Sequence, residues 1–598
     1  MPKYATRHED REKTFALRNF PDGLNKEISA PALPPTTLTK CKNMKYVYNQ
    51  SIGGEKLVIL KKRQGTTKIS SSALGSSVLA CTYYIADAHY IVATATTLHE
   101  LDPVTFAVSS SLGTLSGTPT FTEFNGKLII HDSGVTKVWD GTIFAALGGF
   151  HTDEIIGTGD NFGTVAFSGT LESPPITAGT LIITFTDSTG RTMTDNGAGA
   201  FTGYGTGTIN YTTGAWSITA TGAPDNLTSI YAAYTTTAGA PKSKGGFVRA
   251  SRLYMWGDSD YPSRLWYSAP NDETSWEGYL DVDPLDGFAL IACLNYFQSI
   301  IAVKGSSVHR INGYPGDTTF SVQPLMQNIG AVSHRGCLSA NNMVSFVASK
   351  QGWLAMRPTQ EYGDISQTTN LSSRFKSEIT AYTNSDAYAE YNGLDNQLWL
   401  SLFSLGNQLQ EAYVLNMETG GQLSMYEFSF GHTSYKYVNN EMLIGGSDGN
   451  LYRLNHDSGR YTDNAVSYSA DTFIRGTMTD FETPFNRKHN KRITLYCYGK
   501  AGMTGTLNIY ADNDYTTPKF TQAIDLTSGR LSIFYDGPNY RIYDMSTMRI
   551  GGDMIGEQDT RIRAKFNYRE LMFELTSIAG NTGAEFYGID FVSALQGD

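Results

Sequence analysis

Short runs of alternating apolar and polar residues, separated by turn residues, recur along most of this chain. Residues 439–459 show the pattern most clearly, because the segments EMLIGG and LYRLNHD flank a turn at Asp448 and Gly449. Asp and Gly tolerate the positive φ that a tight hairpin turn requires. A period of two residues predicts a β-hairpin with one apolar face, and one hairpin alone is barely stable in water. The pattern therefore predicts that this hairpin packs against similar neighbours.

The same plan recurs at intervals of roughly forty residues, which is the spacing typical of propeller blades. Further copies occupy residues 89–106, 124–141, 252–270, 299–314, 343–357 and 397–420. Each blade of a propeller is a four-stranded sheet, and radial stacking leaves only short, protected edges. An irregular stack of β-sandwiches is the alternative. Because the repeat is regular between residues 80 and 460, we predict an all-β fold with a β-propeller of six or seven blades.

Changes in composition divide the 598 residues into several domains. After Gly157 the charged residues thin out, and Thr and Gly dominate strictly alternating strands, which predicts a β-sandwich inserted between two blades. After Thr462 the alternation continues without the turn pattern of the blades, which predicts a separate C-terminal β-sandwich. We predict a flexible N-terminal arm, a first part of the propeller, the inserted sandwich, the second part of the propeller and the C-terminal sandwich, at residues 1–16, 17–156, 157–240, 241–462 and 463–598.

The segment before the first blade contains Pro31, Pro34 and Pro35, followed by two short strands. Proline fits neither a helix interior nor a central strand, so this segment is predicted to cross a surface in an extended conformation. An N-terminal strand commonly joins the last blade of a propeller and closes the ring. We expect part of residues 45–62 to do so.

Charge and cysteine content narrow the class of protein. The formal net charge of −11 argues against wrapping nucleic acid on the outer surface, but does not exclude a lumen through which DNA slides. The five cysteines are far apart, which is typical of core residues rather than of disulfides or a metal site. The first residues, MPKYATRHEDREKTF, do not form a signal peptide, and the longest apolar run, residues 288–294, is too short to span a bilayer. We expect a protein that folds in the cytoplasm.

Motifs that carry catalysis are sparse. The chain has no P-loop, no HExxH, no GxSxG and no dinucleotide fingerprint after a strand. A propeller could position paired carboxylates for glycoside hydrolysis, and the candidates are Asp258, Asp260, Asp272 and Glu273. Acidic residues in blade loops are more often turn formers. We therefore predict that the protein is not an enzyme and has no cofactor, no metal and no small-molecule substrate.

Two basic runs are the candidate contact sites. One comprises Lys61, Lys62 and Arg63, and the other, the densest in the chain, comprises Arg487, Lys488, Lys491 and Arg492. Either run could contact DNA phosphates or an acidic partner ring. Either could instead be a solvated hairpin edge, where Lys and Arg prevent pairing with another strand. The sequence leaves both interpretations open.

Three features together resemble the nozzle proteins of short-tailed phages, the tail tubular protein B family. The opening FPDGLN…ALPP…TKCKNMKYV…LKKRQGTTKI is similar to the family's N-terminal pattern, although Gln64 stands where the family's turn has a proline. Residues 252–314 resemble a stretch of the family that consists of a hairpin, an aromatic-rich loop and an Asp-Pro-x-Asp turn. The turn residues here are Asp283, Pro284 and Asp286. The third feature is the sandwich that splits the propeller.

The resemblance implies a homohexameric tube in the virion tail, assembled in the host cytoplasm. Its partners would be the adaptor ring near the portal, the tail fibres and the phage double-stranded DNA, and the host surface remains open as another. The tube would retain the DNA and conduct it during ejection, independently of sequence and without catalytic residues. A receptor- or glycan-binding propeller, with Trp256, Trp266 and Trp276 as candidate residues, is the alternative. A glycan-degrading enzyme is the third possibility.

Overall fold

Strands dominate the computed structural model, which describes residues 12–50, 56–147, 150–160, 162–171, 174–236, 240–358, 365–381, 387–402, 411–456, 461–464, 472–499, 504–525, 531–536, 539–544, 558–576 and 583–596. Among these residues, six sheets of four antiparallel strands occur, and a seventh set of four strands forms one end of a nine-stranded sheet. In each set, strands that follow each other along the chain are neighbours in the sheet. The one exception is a strand from the N-terminal segment, which joins the set formed by residues 432–454. This succession of four-stranded meanders is a β-propeller, so the predicted fold class is confirmed.

Two compact units make up the chain, and each is described by itself. The insertion unit comprises residues 82–103 and 108–328, and the terminal unit comprises the described parts of residues 1–81, 104–107 and 329–598. No helix among the described residues is long and apolar enough to cross a membrane.

The insertion unit holds four blades, apart from two residues of the first strand. The first blade consists of Ala80–Tyr84, His89–Ala93, Thr97–Leu101 and Val108–Thr114. The second consists of Thr120–Phe124, Lys127–His131, Lys137–Trp139 and Phe144–Ala146. The third consists of Gly245–Arg249, Arg252–Trp256, Arg264–Ala269 and Asp272–Asp281. The fourth consists of Leu290–Tyr296, Ser299–Lys304, Ser307–Asn312 and Ser321–Gln327.

Two further sheets of the insertion unit form a β-sandwich between the second and third blades. The strands of the larger sheet are, in spatial order, Phe150–Thr158, Ser229–Thr235, Ile182–Asp187, Thr189–Asp195 and Phe201–Gly203. The strands of the smaller sheet are Ala166–Thr170, Ala215–Ala220 and Gly205–Ile209. Trp216 and Tyr234 are buried in its core. The first strand begins before the predicted boundary at residue 157, because composition does not mark where strand pairing begins.

The terminal unit holds three blades. The fifth blade consists of Leu338–Ala340, Met343–Ala348, Gly352–Pro358 and Ile365–Asn370. The sixth consists of Ala387–Asn392, Gln397–Leu402, Glu411–Asn416 and Gln422–Glu427. The seventh consists of His432–Val438, Glu441–Gly446, Leu451–Leu454 and Thr66–Lys68. One α-helix, Lys376–Ala381, and two 3-10 helices, Ala30–Ala32 and His334–Gly336, are the helices of the described residues.

An N-terminal strand does complete the seventh blade, but it is not part of residues 45–62. Thr66–Lys68 pairs antiparallel with Leu451–Leu454. Residues 45–62 belong to the C-terminal sandwich, where Met44–Gln50 pairs with Lys56–Lys62. The prediction was wrong by a few residues because Val58 and Leu60 are buried in the same core as residues of the C-terminal sandwich such as Phe586 and Ile589.

The C-terminal sandwich also takes in residues that were assigned to the arm and to the propeller. Its first sheet contains Gln558–Ile562, Arg487–Gly499, Ala584–Gln596, Lys56–Lys62 and Met44–Gln50, and Glu12–Arg18 and Phe566–Tyr568 pair at its sides. Its second sheet contains Lys40–Lys42, Phe473–Arg475, Leu571–Thr576, Thr504–Ala511 and Phe520–Asp525. Lys40–Lys42 also continues this sheet into the sixth blade. Two short pairs, Gly23–Leu24 with Thr37–Leu38 and Leu531–Asp536 with Asn539–Asp544, complete the strands.

These strands correct two boundaries at the N-terminus. Glu12–Arg18 is not a mobile arm, since all seven of its residues pair with Ala584–Gln596. Residues 1–11 lie outside the described residues. Most of the segment from Leu17 to Lys62 likewise belongs with the C-terminal sandwich, and Phe20, Leu24 and Met44 are buried in the same core as Phe573 and Phe586.

Two histidines are fully buried and electrically neutral. His131, in the second blade, lies 2.6 Å from the Ser243 hydroxyl through its Nδ1. His432, in the seventh blade, lies 2.7 Å from the Ser401 hydroxyl through its Nε2 and stacks on Tyr435. Burial lowers the pKa of both imidazoles to about 3, because the charged form would lose its hydration.

Acidification should therefore destabilise both units well above the pH at which carboxylates titrate. The pKa of each histidine is depressed in the folded chain, so only the unfolded chain binds a proton as the pH falls below about 6.5. At pH 5, each histidine should lower the free energy of unfolding by about 2 kcal/mol. Urea titrations from pH 7.5 to 5 measure this loss, which should be smaller in His131→Gln and His432→Gln. An unchanged pH slope in both variants would contradict the assignment.

Candidate functional site

The seven basic residues predicted as contacts fall into two groups. Lys61, Lys491, Arg487 and Arg492 reach the surface, where Lys61 pairs with Glu585 at 3.1 Å and Lys491 pairs with Glu12 at 2.9 Å. The remaining three, Lys62, Arg63 and Lys488, expose at most 1% of their surface. A buried side chain cannot contact DNA or a partner ring, so for these three residues the prediction was wrong.

Lys488 closes a turn inside the C-terminal sandwich. Its ammonium donates hydrogen bonds to the carbonyls of Thr483 at 2.9 Å, Asn486 at 3.2 Å and Arg569 at 2.8 Å. Burial lowers the pKa of this lysine. The strand alternates its side chains, so Lys488 points inward between exposed Arg487 and half-buried His489. A dense basic run thus contains a core residue at the position that the period of two requires.

Arg63 binds groups from four other parts of the terminal unit's sequence. Its two terminal nitrogens donate to the two carboxylate oxygens of Asp463, Nη1 at 3.0 Å and Nη2 at 2.7 Å. Nε donates to Oδ1 of Asn43 at 2.8 Å, and the remaining N–H groups donate to the carbonyls of Gln64 at 2.9 Å and Glu427 at 2.6 Å. All five donors of the guanidinium are therefore satisfied. We call Asn43, Arg63, Glu427 and Asp463 the clasp.

Asp463 is equally well satisfied on its side of the clasp. It is fully buried, and besides Arg63 it accepts hydrogen bonds from the backbone N–H of Thr66 at 3.1 Å and of Ser429 at 3.2 Å. The Arg63 guanidinium also lies 4.8 Å from the centre of the Phe428 ring. A buried ion pair is stable only when its remaining donors and acceptors are bonded, and this pair meets that condition.

The residues next to Arg63 fit the clasp closely. Gln64 donates from Nε2 to the His456 carbonyl at 3.1 Å and accepts from Lys45 at 3.1 Å. A proline would make neither bond. Gly65 has no side chain because a Cβ there would lie 2.1 Å from the Thr462 carbonyl oxygen. The clasp is therefore the place where the N-terminal segment passes from the C-terminal sandwich to the seventh blade.

Lys62 lies beside the clasp and is also buried. Burial and the neighbouring Arg63 charge lower the pKa of its ammonium to about 8, and Asp463 opposes this change. Lys62 and Arg63 are therefore structural residues of the terminal unit and not surface contacts. Two signals near Arg63 could have pointed to the clasp. They are the apolar run at residues 57–60, which ends just before the basic run, and Gly65, which follows Gln64.

The four carboxylates considered for glycoside hydrolysis each have a separate structural partner. Asp258 accepts from the Trp266 indole at 3.1 Å, and Asp260 pairs with Lys242 at 2.9 Å. Asp272 accepts from the backbone N–H and the hydroxyl of Thr274, and Glu273 pairs with Lys127 at 2.6 Å. These bonds hold turns and neighbouring strands. None of these bonds joins two of the four carboxylates as an acid and a base that face one substrate.

The three tryptophans proposed for glycan binding differ in their surroundings. Trp256 exposes only 6% of its surface and belongs to the interior. Trp266 and Trp276 are half-buried and pack against the core between the second and third blades. Trp266 contacts two exposed aromatic rings, those of Tyr261 and Tyr279.

Two groups of side chains in the insertion unit have the spacing of metal ligands. In one, ligand atoms of Asp283, Asp286 and His309 lie within 4.8 Å of one another. The ammonium of Lys304, fully buried, donates there to Asp286 Oδ1 at 2.6 Å and to the carbonyls of Val282 and Asp283 at 2.8 and 2.7 Å. This lysine supplies the positive charge that a metal would supply, so the Asp283–Asp286 turn is held without one.

The other group consists of Asp87, His89 and Glu100 in the first blade, again within 4.8 Å of one another. Glu100 is buried and accepts a hydrogen bond from the Ser110 hydroxyl at 2.9 Å. Burial raises the pKa of Glu100, and a hydrogen bond with Asp87 adds to this effect. Two carboxyl groups this close can share a proton, and oxygen and imidazole ligands also suit a divalent cation.

No protein-family model matches this chain, and no curated protein matches it. Solved structures with some likeness include the computationally designed Ika8 protein, at a TM-score of 0.33 and 11% identity over 65% of this chain and 99% of that one. BamB from Moraxella catarrhalis has a TM-score of 0.33 and 12% identity over 66% and 98%. The Pan2 WD40 domain of Neurospora crassa has a TM-score of 0.33 and 7% identity over 67% and 98%. Likeness at this level carries no functional argument.

Replacing Arg63 should destabilise the terminal unit far more than replacing its neighbour Lys61. Arg63→Met leaves Asp463 buried without its counter-charge, which should cost about 3–5 kcal/mol of unfolding free energy. Lys61→Met removes a half-exposed pair and should cost at most about 1 kcal/mol. Urea titrations of the two variants at pH 7.5 give the comparison.

A double variant separates charge from packing. Arg63→Met with Asp463→Leu removes both charges, so it should be more stable than Arg63→Met alone. Equal losses in Arg63→Met and Lys61→Met would contradict the role of the clasp.

Proposed function

We propose that this protein is a structural component of a short phage tail, in which copies of the chain form a ring-shaped conduit that retains DNA and conducts it during ejection. The observation that supports this proposal best is the path of the N-terminal segment. Residues 12–68 contribute strands to the seventh blade and to both sheets of the C-terminal sandwich. The clasp fixes the segment where it passes between them.

This path resists mechanical opening of the terminal unit. Thr66–Lys68 belongs to the seventh blade, and Lys40–Lys42 lies between the sixth blade and the strand Phe473–Arg475. Glu12–Arg18 and Lys56–Lys62 both pair with Ala584–Gln596. Pulling the whole N-terminal segment away would break strand pairing in three sheets. A conduit that holds DNA under pressure needs such rigidity, whereas a transient binding module does not.

Charge is compatible with a conduit that DNA passes without sticking. The chain carries a formal net charge of −11, and three of the predicted contact residues, Lys62, Arg63 and Lys488, are buried. Phosphates are repelled by an acidic surface and bind tightly to clustered exposed cations. In this proposal the surface residues Arg487 and Arg492 remain available for a partner ring.

The remaining parts of the proposal come from the resemblance to nozzle proteins. They are six subunits, contact with an adaptor ring and tail fibres, a position in the virion tail and the absence of catalysis, cofactor and metal.

Imaging should place the protein in a tail and show its symmetry. Full-length protein should give sixfold rings or tubes by negative-stain microscopy, with a matching mass by light scattering. In particles that carry the protein with a C-terminal gold-binding tag, the label should mark the axial tube of the tail. Untagged particles are the control. Monomers in solution together with a label confined to peripheral fibres would contradict the conduit.

A further inference from the structure

One face of the third blade carries a compact group of aromatic and charged side chains. In the pairing of the third and fourth strands of this blade, Arg264 lies opposite Asp281 and Trp266 lies opposite Tyr279. These four residues therefore share a face of the sheet. Tyr261 lies in the turn that leads into the first of these strands, and its carbonyl accepts a hydrogen bond from the Arg264 backbone. We call these five residues the platform.

The guanidinium of Arg264 holds the two tyrosine rings of the platform apart and in place. It lies 3.4 Å from the centre of the Tyr279 ring and 4.1 Å from the centre of the Tyr261 ring. Its Nε donates to Asp281 at 3.0 Å. An arginine between two rings is favoured electrostatically by both. The rings are therefore fixed by contacts on their inner side.

Trp266 supports the platform from below. Its ring meets Tyr261 and Tyr279 edge-on, with centres 5.8 and 5.4 Å apart, and its indole N–H donates to buried Asp258 at 3.1 Å. Despite these contacts, Tyr261 exposes 48% and Tyr279 exposes 49% of its surface. The exposed ring area is thus presented by rigid side chains and is not a consequence of loose packing.

Two cations at the platform are each paired with a carboxylate. Arg264 is bonded to Asp281, and Lys242 pairs with Asp260 at 2.9 Å. Because each cation is neutralised by its carboxylate, neither offers a free positive charge to an anionic ligand. The features that remain for recognition are the faces of two tyrosine rings and a partly exposed carboxylate, Asp281, that accepts hydrogen bonds.

We propose that the platform binds an uncharged saccharide chain, with sugar rings stacked on Tyr261 and Tyr279 and hydroxyl groups donating to Asp281. The C–H groups on one face of a pyranose carry partial positive charge, which suits the negative face of an aromatic ring. Because the tyrosines are already fixed, binding does not lose their side-chain entropy. This site is independent of the conduit, and it stands or falls separately from the proposed function.

Titration with defined sugars tests the platform. The probes are maltohexaose, cellohexaose, chitohexaose and an α-1,6-linked glucose hexamer, and the readouts are intrinsic tryptophan fluorescence and calorimetry on the full-length protein. At least one probe should bind, and Tyr261→Ala should weaken that binding at least 10-fold. Tyr279→Ala should have a similar effect. Because Tyr261 lies in a turn, its truncation should leave the melting temperature within a few degrees of the wild-type value.

The matched control is Leu285→Ser in the following turn, where the side chain is 95% exposed but aliphatic. This variant should bind the sugar as the wild type does. Failure of all four probes to bind would overturn the proposal, as would binding that is unaffected by both tyrosine variants. A loss of self-association in Tyr261→Ala and Leu285→Ser, without sugar binding by the wild type, would identify the surface as a protein contact instead.

Discussion

The buried ion pair between Arg63 and Asp463 is the contact on which the terminal unit depends, because it joins residues 400 positions apart in the sequence. Removing two charges from water is costly, and the attraction between them repays that cost only when every other donor and acceptor is bonded. Here the donors of the guanidinium and both oxygens of the carboxylate are bonded, and Asn43 Oδ1 accepts from Arg63 and from the Glu427 backbone N–H. The contact has a single geometry, and it thereby fixes the register in which the N-terminal segment enters the seventh blade.

Charged side chains serve two different purposes in the two units. In the terminal unit, Arg63 and Lys488 are internal, where they satisfy carbonyls and carboxylates that no water reaches. In the insertion unit, Lys304 likewise organises a turn from within, but Arg264 lies at the surface between exposed rings. In each case the cation fixes a backbone or ring geometry. These four residues therefore act as structural connectors.

The blades and both sandwiches could be predicted from the sequence because a period of two identifies strands locally, and turn residues such as Asp448 and Gly449 identify hairpins. The path of the N-terminal segment could not, because its partners lie more than 350 residues away and no local pattern encodes them. Lys62 and Arg63 were interpreted as surface residues, since a charged run is usually solvated. The burial of Arg63 becomes evident only when Asp463 is placed beside it. The platform was partly visible through Trp266, but its two tyrosines depend on strand register.

The pairing of the first strands with the last imposes an order on biosynthesis. Thr66–Lys68 has no partner strand until residue 454 has left the ribosome, and Glu12–Arg18 has none until residues 584–596 are made. During translation these strands have unpaired edges, which favour premature association with other chains. A nascent chain that stalls after the sixth blade lacks both partners.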